Sequence, residues 1–133
     1  MIPVLAALIF NHDNSVLLAQ RKPGKTNALK WEFPGGKLLS GETPESCLAR
    51  EIEEELGLKI SVGQLFSAVN YSYTHANILL LAYFAELVEG RIVLTDHINV
   101  RWVSIEKLLT FDLSPADIPI VEKLMENFRG TIP

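Results

Sequence analysis

The stretch REIEEELG, residues 50–57, contains four glutamates within five positions. Like charges one helical turn apart repel by about 0.2–0.5 kcal/mol per pair, so a helix that needed only solubility would interleave lysines. Clustered carboxylates without histidine or cysteine companions suit a hard divalent cation, Mg²⁺ or Mn²⁺. The alternative is a solvated acidic helix face. The stretch therefore indicates either a metal site or an ordinary charged surface.

Helical geometry divides these glutamates into two groups. At about 100° per residue, a stripe at four-residue spacing predicts the face that packs on the core: Leu48, Ile52 and Leu56. Three carboxylates share the arc beside that stripe: Glu51, Glu54 and Glu55. Glu53 falls away towards solvent, and Arg50 lies one turn before Glu54, where it can orient or partly neutralise that carboxylate. Three carboxylates are thus predicted to lie beside the core rather than opposite it.

The residues that flank the acidic stretch predict the limits of its helix. Thr43 fits the N-cap position, Pro44 fits the first helical position, and Gly57 fits the residue just past the end. The helix is therefore predicted over 44–56, directly after a segment that contains a pair of glycines.

Strands are predicted on both sides of this helix. Runs of apolar, β-branched and aromatic residues, separated by turn residues, predict five of them: 3–10, 15–21, 58–74, 77–88 and 100–104. Pro34 and the pair Gly35–Gly36 are expected to interrupt regular structure, and Ser104 is expected to cap a short helix. Helical spacing predicts a last helix with these apolar residues: Ile120, Val121, Leu124, Met125 and Phe128. This order indicates a mixed α/β chain around a mostly β core.

Composition limits the kinds of partner. The chain has 133 residues, 48% of them hydrophobic, which suits one globular domain. Its formal net charge of −4 argues against broad nucleic-acid or membrane-surface binding, which requires basic patches. Cys47 is the only cysteine, so no internal disulfide can form and a cytoplasmic location is expected. The opening run MIPVLAALIF has no basic flank, so it predicts a buried strand rather than a targeting segment.

The spacing around the acidic helix extends from Gly36 to Leu58. From Gly36 the chain reads glycine, five residues, Glu42, seven residues, Arg-Glu-Ile, one residue, Glu-Glu, one residue, Gly-Leu. These residues and this spacing resemble the Nudix box at every fixed position. The resemblance implies an α/β/α sandwich with a mixed β-sheet between helices, formed by one hydrolase domain over residues 1–133.

Nudix enzymes hydrolyse a nucleoside diphosphate linked to another group, with a metal held by the box, so the resemblance implies Mg²⁺ or Mn²⁺ as cofactor. It implies these ligands: the carbonyl of Gly36 and the carboxylates of Glu51, Glu54 and Glu55. Glu51 and Glu54 are also implied in catalysis, Arg50 in orienting the glutamates, and Glu42 in supporting the loop. Bound cations screen phosphate charge and acidify a bound water, so an acidic protein can bind a polyanion.

Further site residues follow from the resemblance outside the box. Asp96 lies six residues before Trp102, where close relatives tend to have glutamate, and is implied in catalysis; a loop-capping role is the alternative, and His97 is a weaker candidate. The sequence WEFPGGK resembles the MutT-type branch, which implies that Phe33 packs on the base and that Arg21 approaches the nucleotide. Core packing is the alternative for Phe33, and a solvated strand end for Arg21. Trp31 is expected to serve packing alone.

The segment LSPADIPIVEKL, residues 113–124, carries the information on substrate. MutT-type enzymes acting on 8-oxo-dGTP have an asparagine that reads the base where this chain has Asp117, whereas PADIP resembles bacterial CTP pyrophosphohydrolases. A carboxylate suits the exocyclic amine of cytosine, and a protonated carboxyl in a dry pocket could also donate to the neighbouring ring nitrogen. The alternative is that Asp117 serves only the start of the last helix, where a carboxylate is favourable by about 0.3–1 kcal/mol.

The implied partner is a small-molecule nucleoside triphosphate, with neither nucleic acid nor membrane bound and the protein either a monomer or a homodimer. Cytosine nucleotides are the first expectation, and 8-oxo-dGTP is the alternative. Hydrolysis of nucleotide sugars or dinucleotides is disfavoured because the extra motifs are absent. A non-catalytic Nudix-like binding domain is disfavoured because all box glutamates are present.

Overall fold

The computed structural model of the chain describes residues 1–129. Its strands are β1 (Ile2–Phe10), β2 (Val16–Arg21), β3 (Trp31–Glu32), β4 (Gly35–Lys37), β5 (Leu58–Ser72), β6 (Asn77–Gly90) and β7 (His97–Val103). Its helices are α1 (Pro44–Leu56), α2 (Ile118–Arg129) and the 3₁₀ helices Ile105–Thr110 and Pro115–Asp117. None of the helices in this part of the chain is long and apolar enough to cross a membrane.

The strands of residues 1–129 form one seven-stranded mixed sheet with β1 near its centre. β1 pairs in parallel with β6, and antiparallel with β2 and β4. β6 continues the sheet to β5, while β2 pairs with both β3 and β7. The expected mixed sheet is confirmed.

Side chains of β1 alternate between two cores, because successive residues of a strand point to opposite faces of the sheet. One core joins that strand to α1 and contains Leu5, Ala7, Ile9, Leu48, Ile52 and Leu56. The other contains Ala6, Leu8, Leu108, Ile120, Val121 and Leu124, which brings in α2 and the first 3₁₀ helix. Helical segments therefore cover both faces of the sheet, which confirms the sandwich, and each buried leucine or isoleucine contributes about 1.5–3 kcal/mol of stabilisation.

Helix α1 has the predicted limits and the predicted caps. The Thr43 hydroxyl accepts a hydrogen bond from the Ser46 N–H at 3.2 Å, and Pro44 is the first helical residue. Gly57 ends the helix in the left-handed region, with φ of 69°. Because the caps fix both ends and the apolar stripe fixes the rotation, the direction of every glutamate on the helix is set.

The clearest differences from the sequence predictions lie at Gly35–Lys37, at the start of β7 and at Ser104. Gly35–Lys37 forms β4 instead of interrupting regular structure, because glycine allows the backbone to approach β1 closely. β7 begins at His97, three residues earlier than predicted. Ser104 precedes the predicted short helix, which is a 3₁₀ helix, but its side chain makes no capping hydrogen bond.

Candidate active site

Arg50 on α1 pairs with three carboxylates, one before the helix and two on it. Its guanidinium lies 2.8 Å from Glu42, 3.1 Å from Glu51 and 3.2 Å from Glu54. The hydrogen bond with Arg50 lowers the pKa of Glu42, whose carboxylate also accepts from the Leu39 N–H at 3.2 Å. Arg50 therefore holds the loop before the helix and the glutamates on the helix in one charged cluster.

The carboxylates of the helix differ in exposure in the way that their arc predicts. The Glu51 side chain is 17% exposed and the Glu54 side chain 62% exposed, whereas Glu55 has a buried oxygen, Oε2, with no hydrogen-bond partner. Burial raises the pKa of Glu55 to about 9, and Glu51, Asp96 and then Glu32 act in the same direction. Without a cation beside it, the Glu55 carboxyl therefore favours its protonated, uncharged form.

Gly36 on β4 borders the same carboxylates. A Cβ placed on Gly36 would lie 2.6 Å from the carboxyl carbon of Glu51 and 2.7 Å from one of its oxygens, so only glycine leaves this carboxylate its position. The donors gathered here are carboxylate oxygens and a strand backbone, the ligand chemistry of Mg²⁺ or Mn²⁺. The unpartnered oxygen of Glu55 and the Glu51 carboxylate packed over Gly36 therefore suit a hard divalent cation.

As the side chains stand, no three acidic, histidine or cysteine side chains within residues 1–129 are grouped closely enough to hold a metal ion. Glu51 and Glu54 share one guanidinium nitrogen of Arg50. Binding an ion would therefore require these carboxylates to turn from Arg50 towards the oxygen of Glu55.

The loop before β7 is fastened to the C-terminal end of α1. The Thr95 hydroxyl donates to the Glu54 and Glu55 carbonyls, at 3.2 and 3.1 Å, and the Lys22 ammonium donates to the Thr95 carbonyl at 2.6 Å. The next residue, Asp96, lines a cavity of about 200 Å³ together with Glu55. The structure thus brings Asp96 to the acidic helix, and its catalytic role stays a prediction.

A larger cavity of about 470 Å³ lies over the start of β4 and contains the three predicted substrate-binding residues: Arg21, Phe33 and Asp117. Asp117 is 5% exposed, and its Oδ1 accepts from the Phe33 N–H at 3.2 Å. Burial, and secondly the charge of Glu32, raise the pKa of Asp117 well above its usual range, which favours the protonated carboxyl. A protonated carboxyl carries one donor and one acceptor.

Arg21 and Phe33 both line the larger cavity, and their contacts with a nucleotide stay predictions. Arg21 lines both cavities, while its guanidinium pairs with Glu32 at 3.1 Å and donates to the Thr26 carbonyl at 2.6 Å. Phe33 borders the larger cavity and is 3% exposed within the α2-side core. Trp31 packs edge-on against Phe111, with ring centroids 5.1 Å apart.

Sequence reasoning missed Glu32 and gave little weight to His97. The Glu32 carboxylate pairs with Arg21 on one side and lies 3.0 Å from His97 Nε2 on the other. The His97 ring is buried, and its Nδ1 has no hydrogen-bond partner. The sequence signal for Glu32 was an acidic residue inside WEFPGGK, two positions before Pro34. That signal could not indicate the contact with His97, which lies 65 residues away in the chain.

Two further residues of the larger cavity were missed, Tyr73 and Ser114. The Tyr73 hydroxyl accepts from the Ala116 N–H at 3.0 Å, which ties the β5–β6 hairpin to the segment before α2. Ser114 is buried, and its Oγ has no hydrogen-bond partner. No sequence pattern could have found them, because a tyrosine in a strand and a serine before proline are ordinary there.

Comparison with known proteins agrees with this geometry. A family model described as the NUDIX domain matches residues 2–124. The chain is 37% identical to the CTP pyrophosphohydrolase of Escherichia coli (strain K12), over 94% of this chain and 92% of that protein. It is 32% identical to the 8-oxo-dGTP diphosphatase of the same organism, over 91% of this chain and 94% of that protein.

A solved structure has the same fold. The crystal structure of the MutT protein from Methanosarcina mazei Go1 superposes with a TM-score of 0.85 at 29% identity, over 99% of this chain and 96% of that chain.

Proposed function

The chain belongs to the Nudix family of hydrolases, and from this premise we propose that it cleaves nucleoside triphosphates to the monophosphate and pyrophosphate, with cytosine nucleotides preferred. One water is consumed, and a P–O bond of the triphosphate is broken. The observation that carries the substrate assignment is the buried Asp117 carboxyl in the cavity of about 470 Å³. The likeness to a CTP pyrophosphohydrolase supports the same assignment.

We propose that these groups hold Mg²⁺: the carboxylates of Glu51, Glu54 and Glu55 and the carbonyl of Gly36. When bound, the ion screens phosphate charge and lowers the pKa of an attacking water. Arg50 keeps the carboxylates on one side of α1 and balances part of their charge until the ion binds. Arg21, which lines both cavities, is placed to contact the nucleotide between its base and its phosphates.

Asp96→Asn is expected to lower turnover by about tenfold and to change the KM for substrate much less. The reason is that Asp96 lies beside Glu55, where a carboxylate can support the metal or the attacking water. Steady-state kinetics at saturating Mg²⁺ measure the effect, with Asp13→Asn, an exposed aspartate on the β1–β2 turn, as the control. Unchanged turnover in Asp96→Asn would leave Asp96 with loop capping only.

Cytosine fits Asp117 through two atoms. Cytosine offers an amine donor and, beside it, a ring nitrogen acceptor. A protonated Asp117 can accept from the amine and donate to the ring nitrogen, while its Oδ1 stays anchored to the Phe33 N–H. The cavity supports this proposal because Phe33 and Asp117 lie in the same wall.

Oxidised guanine is the second candidate, because the same carboxyl can also pair with its edge. A protonated Asp117 presents one donor and one acceptor, as an asparagine does, and the edge of 8-oxoguanine also combines a carbonyl acceptor with N–H donors. The likeness to 8-oxo-dGTP diphosphatases points the same way. Either substrate gives the protein a role in controlling the nucleotide pool.

Substitution of Asp117 separates the two candidates. Asp117→Ala should lower kcat/KM for cytosine nucleotides by the equivalent of about 1–3 kcal/mol, the scale of one base-edge contact. Asp117→Asn should keep part of the activity and move the preference towards 8-oxo-dGTP. The reason is that asparagine has a fixed amide donor and a carbonyl acceptor, and the edge of oxidised guanine offers both a donor and a carbonyl acceptor. The measurement is pyrophosphate release from CTP, dCTP, methylated dCTP and 8-oxo-dGTP with Mg²⁺.

Asp112→Asn is the matched control, since this aspartate lies in the same segment with its side chain 72% exposed. An unchanged ranking of substrates in both Asp117 variants would remove Asp117 from base recognition. Wild-type activity on 8-oxo-dGTP alone would favour the second candidate.

A further inference from the structure

The segment before α2 is held in place by β3, which fixes the position of Ser114. The Trp31 N–H donates to the Asp112 carbonyl and the Ser114 N–H donates to the Trp31 carbonyl, both at 2.8 Å. Trp31 also forms a parallel bridge with Leu113. The backbone from Asp112 to Ser114 is therefore paired with Trp31, and this pairing holds Ser114 at the cavity wall.

The hydroxyl of Ser114 performs none of the usual tasks of a serine at this position. Ser114 is the N-cap of the 3₁₀ helix Pro115–Asp117, where a serine side chain ordinarily accepts from a backbone N–H two or three residues on. Here the Ala116 N–H donates to the Tyr73 hydroxyl at 3.0 Å, and the Asp117 N–H donates to the Ser114 carbonyl at 2.9 Å. Both N–H groups that Ser114 could cap are already occupied.

The hydroxyl is consequently a buried polar group without a partner. Ser114 is 3% exposed and is one of the residues that line the cavity of about 470 Å³, and its buried Oγ has no hydrogen bond to any described residue. Leaving such a group unsatisfied costs about 1–3 kcal/mol. A ligand atom in the cavity would recover that free energy by completing the bond.

We propose that Ser114 is a second specificity-determining residue, whose hydroxyl hydrogen-bonds the base that Asp117 also reads. The proposal rests on the proposed function, since it concerns the same cavity. Asp117 follows Ser114 by three residues, and both residues line the same cavity. With Asp117 accepting from an amine, the Ser114 hydroxyl donates to an acceptor on the same base edge, a combination that cytosine offers and a bare phosphate chain does not.

Ser114→Ala tests the proposal because it removes only the hydroxyl oxygen. We expect kcat/KM for CTP to fall about tenfold, mainly through KM, while the thermal midpoint of the free protein stays the same or rises. With ribose 5′-triphosphate, which has no base, wild type and Ser114→Ala should have equal kcat/KM. Ser104→Ala is the matched control, because Ser104 also precedes a 3₁₀ helix without capping it and lies outside the residues that line the cavity.

Two results would overturn the assignment of Ser114. One is an unchanged kcat/KM on every nucleotide that the wild type hydrolyses; the other is an equal loss on CTP and on ribose 5′-triphosphate. If the wild type releases pyrophosphate from no nucleotide, the proposed function fails, and calorimetry with CTP then decides on Ser114 separately. Binding that is about tenfold weaker in Ser114→Ala would support the assignment, whereas equal binding, or none to either protein, would reject it.

Discussion

Glutamine in place of Glu55 is expected to lower turnover at least about 100-fold without disturbing the fold, because it removes a charged ligand while keeping the shape of the side chain. Glu55 has the buried, unpartnered carboxylate oxygen of the acidic helix. The measurement is kcat at saturating nucleotide over a Mg²⁺ titration, together with the thermal midpoint with and without the ion. Mg²⁺ should raise the midpoint of the wild type and leave that of Glu55→Gln unchanged.

Glu54→Gln should give a comparable loss of turnover, and Glu53→Gln is the control. Glu53 lies on the same helix, carries the same charge and is exposed on the solvent side. A loss of activity in Glu53→Gln as large as in Glu55→Gln would contradict the placement of the metal on the arc that Glu51, Glu54 and Glu55 share.

Glu55→Gln should also change how the free energy of unfolding depends on pH in metal-free buffer. The pKa of Glu55 is raised from 4.5 to about 9 in the folded protein, so the folded state keeps a proton that the unfolded chain releases. The free energy of unfolding of the wild type should therefore fall as the pH rises from about 4.5 to about 9. Glu55→Gln should flatten that slope, as followed by urea unfolding at several pH values.

Alanine at Gly36 is expected to lower turnover by about 100-fold with little loss of stability, because a displacement of about 1 Å at a catalytic group has that scale. The added Cβ would lie 2.6 Å from the Glu51 carboxyl carbon, which is the far end of a flexible side chain and can move aside. Alanine at Gly35 should act differently, since its Cβ would fall on the Leu5 backbone carbonyl of β1. We expect it to destabilise the protein by about 3 kcal/mol or more.

Gly63→Ala is the control for both variants, because the nearest atom to its added Cβ is 3.4 Å away. Kinetics and thermal unfolding of the three alanine variants should therefore give one inactive but stable protein, one unstable protein and one near wild type. A stable, fully active Gly36→Ala would show that the position of Glu51 over β4 does not matter for catalysis.

Features set by local sequence were predicted well. The limits of α1 follow from Thr43, Pro44 and Gly57, and its buried stripe follows from a spacing that any helix imposes. The arc of glutamates needed only that helix. These predictions succeeded because every residue involved lies within one short stretch of the chain.

Features set by distant contacts could not be predicted in the same way. β4 exists because Gly35 can approach Leu5 closely, and glycines beside a proline otherwise indicate a turn. The sheet brings together the segments that pair His97 with Glu32. It also fixes the surroundings in which the Ser114 hydroxyl has no hydrogen-bond partner. Nothing within a few residues of His97 or Ser114 indicates the partner, or the lack of one.

The parallel pairing of β1 with β6 has a consequence for how the protein is made. Each pair, from Ile2 with Ile78 to Phe10 with Glu86, joins residues 76 positions apart. Parallel pairing over such a separation forms slowly, because the long intervening loop must close, at a cost in chain entropy, before any of these contacts can form. During synthesis one edge of the apolar first strand stays unpaired until residue 86 has left the ribosome. That interval, rather than the stability of the finished fold, should govern how readily the newly made chain aggregates.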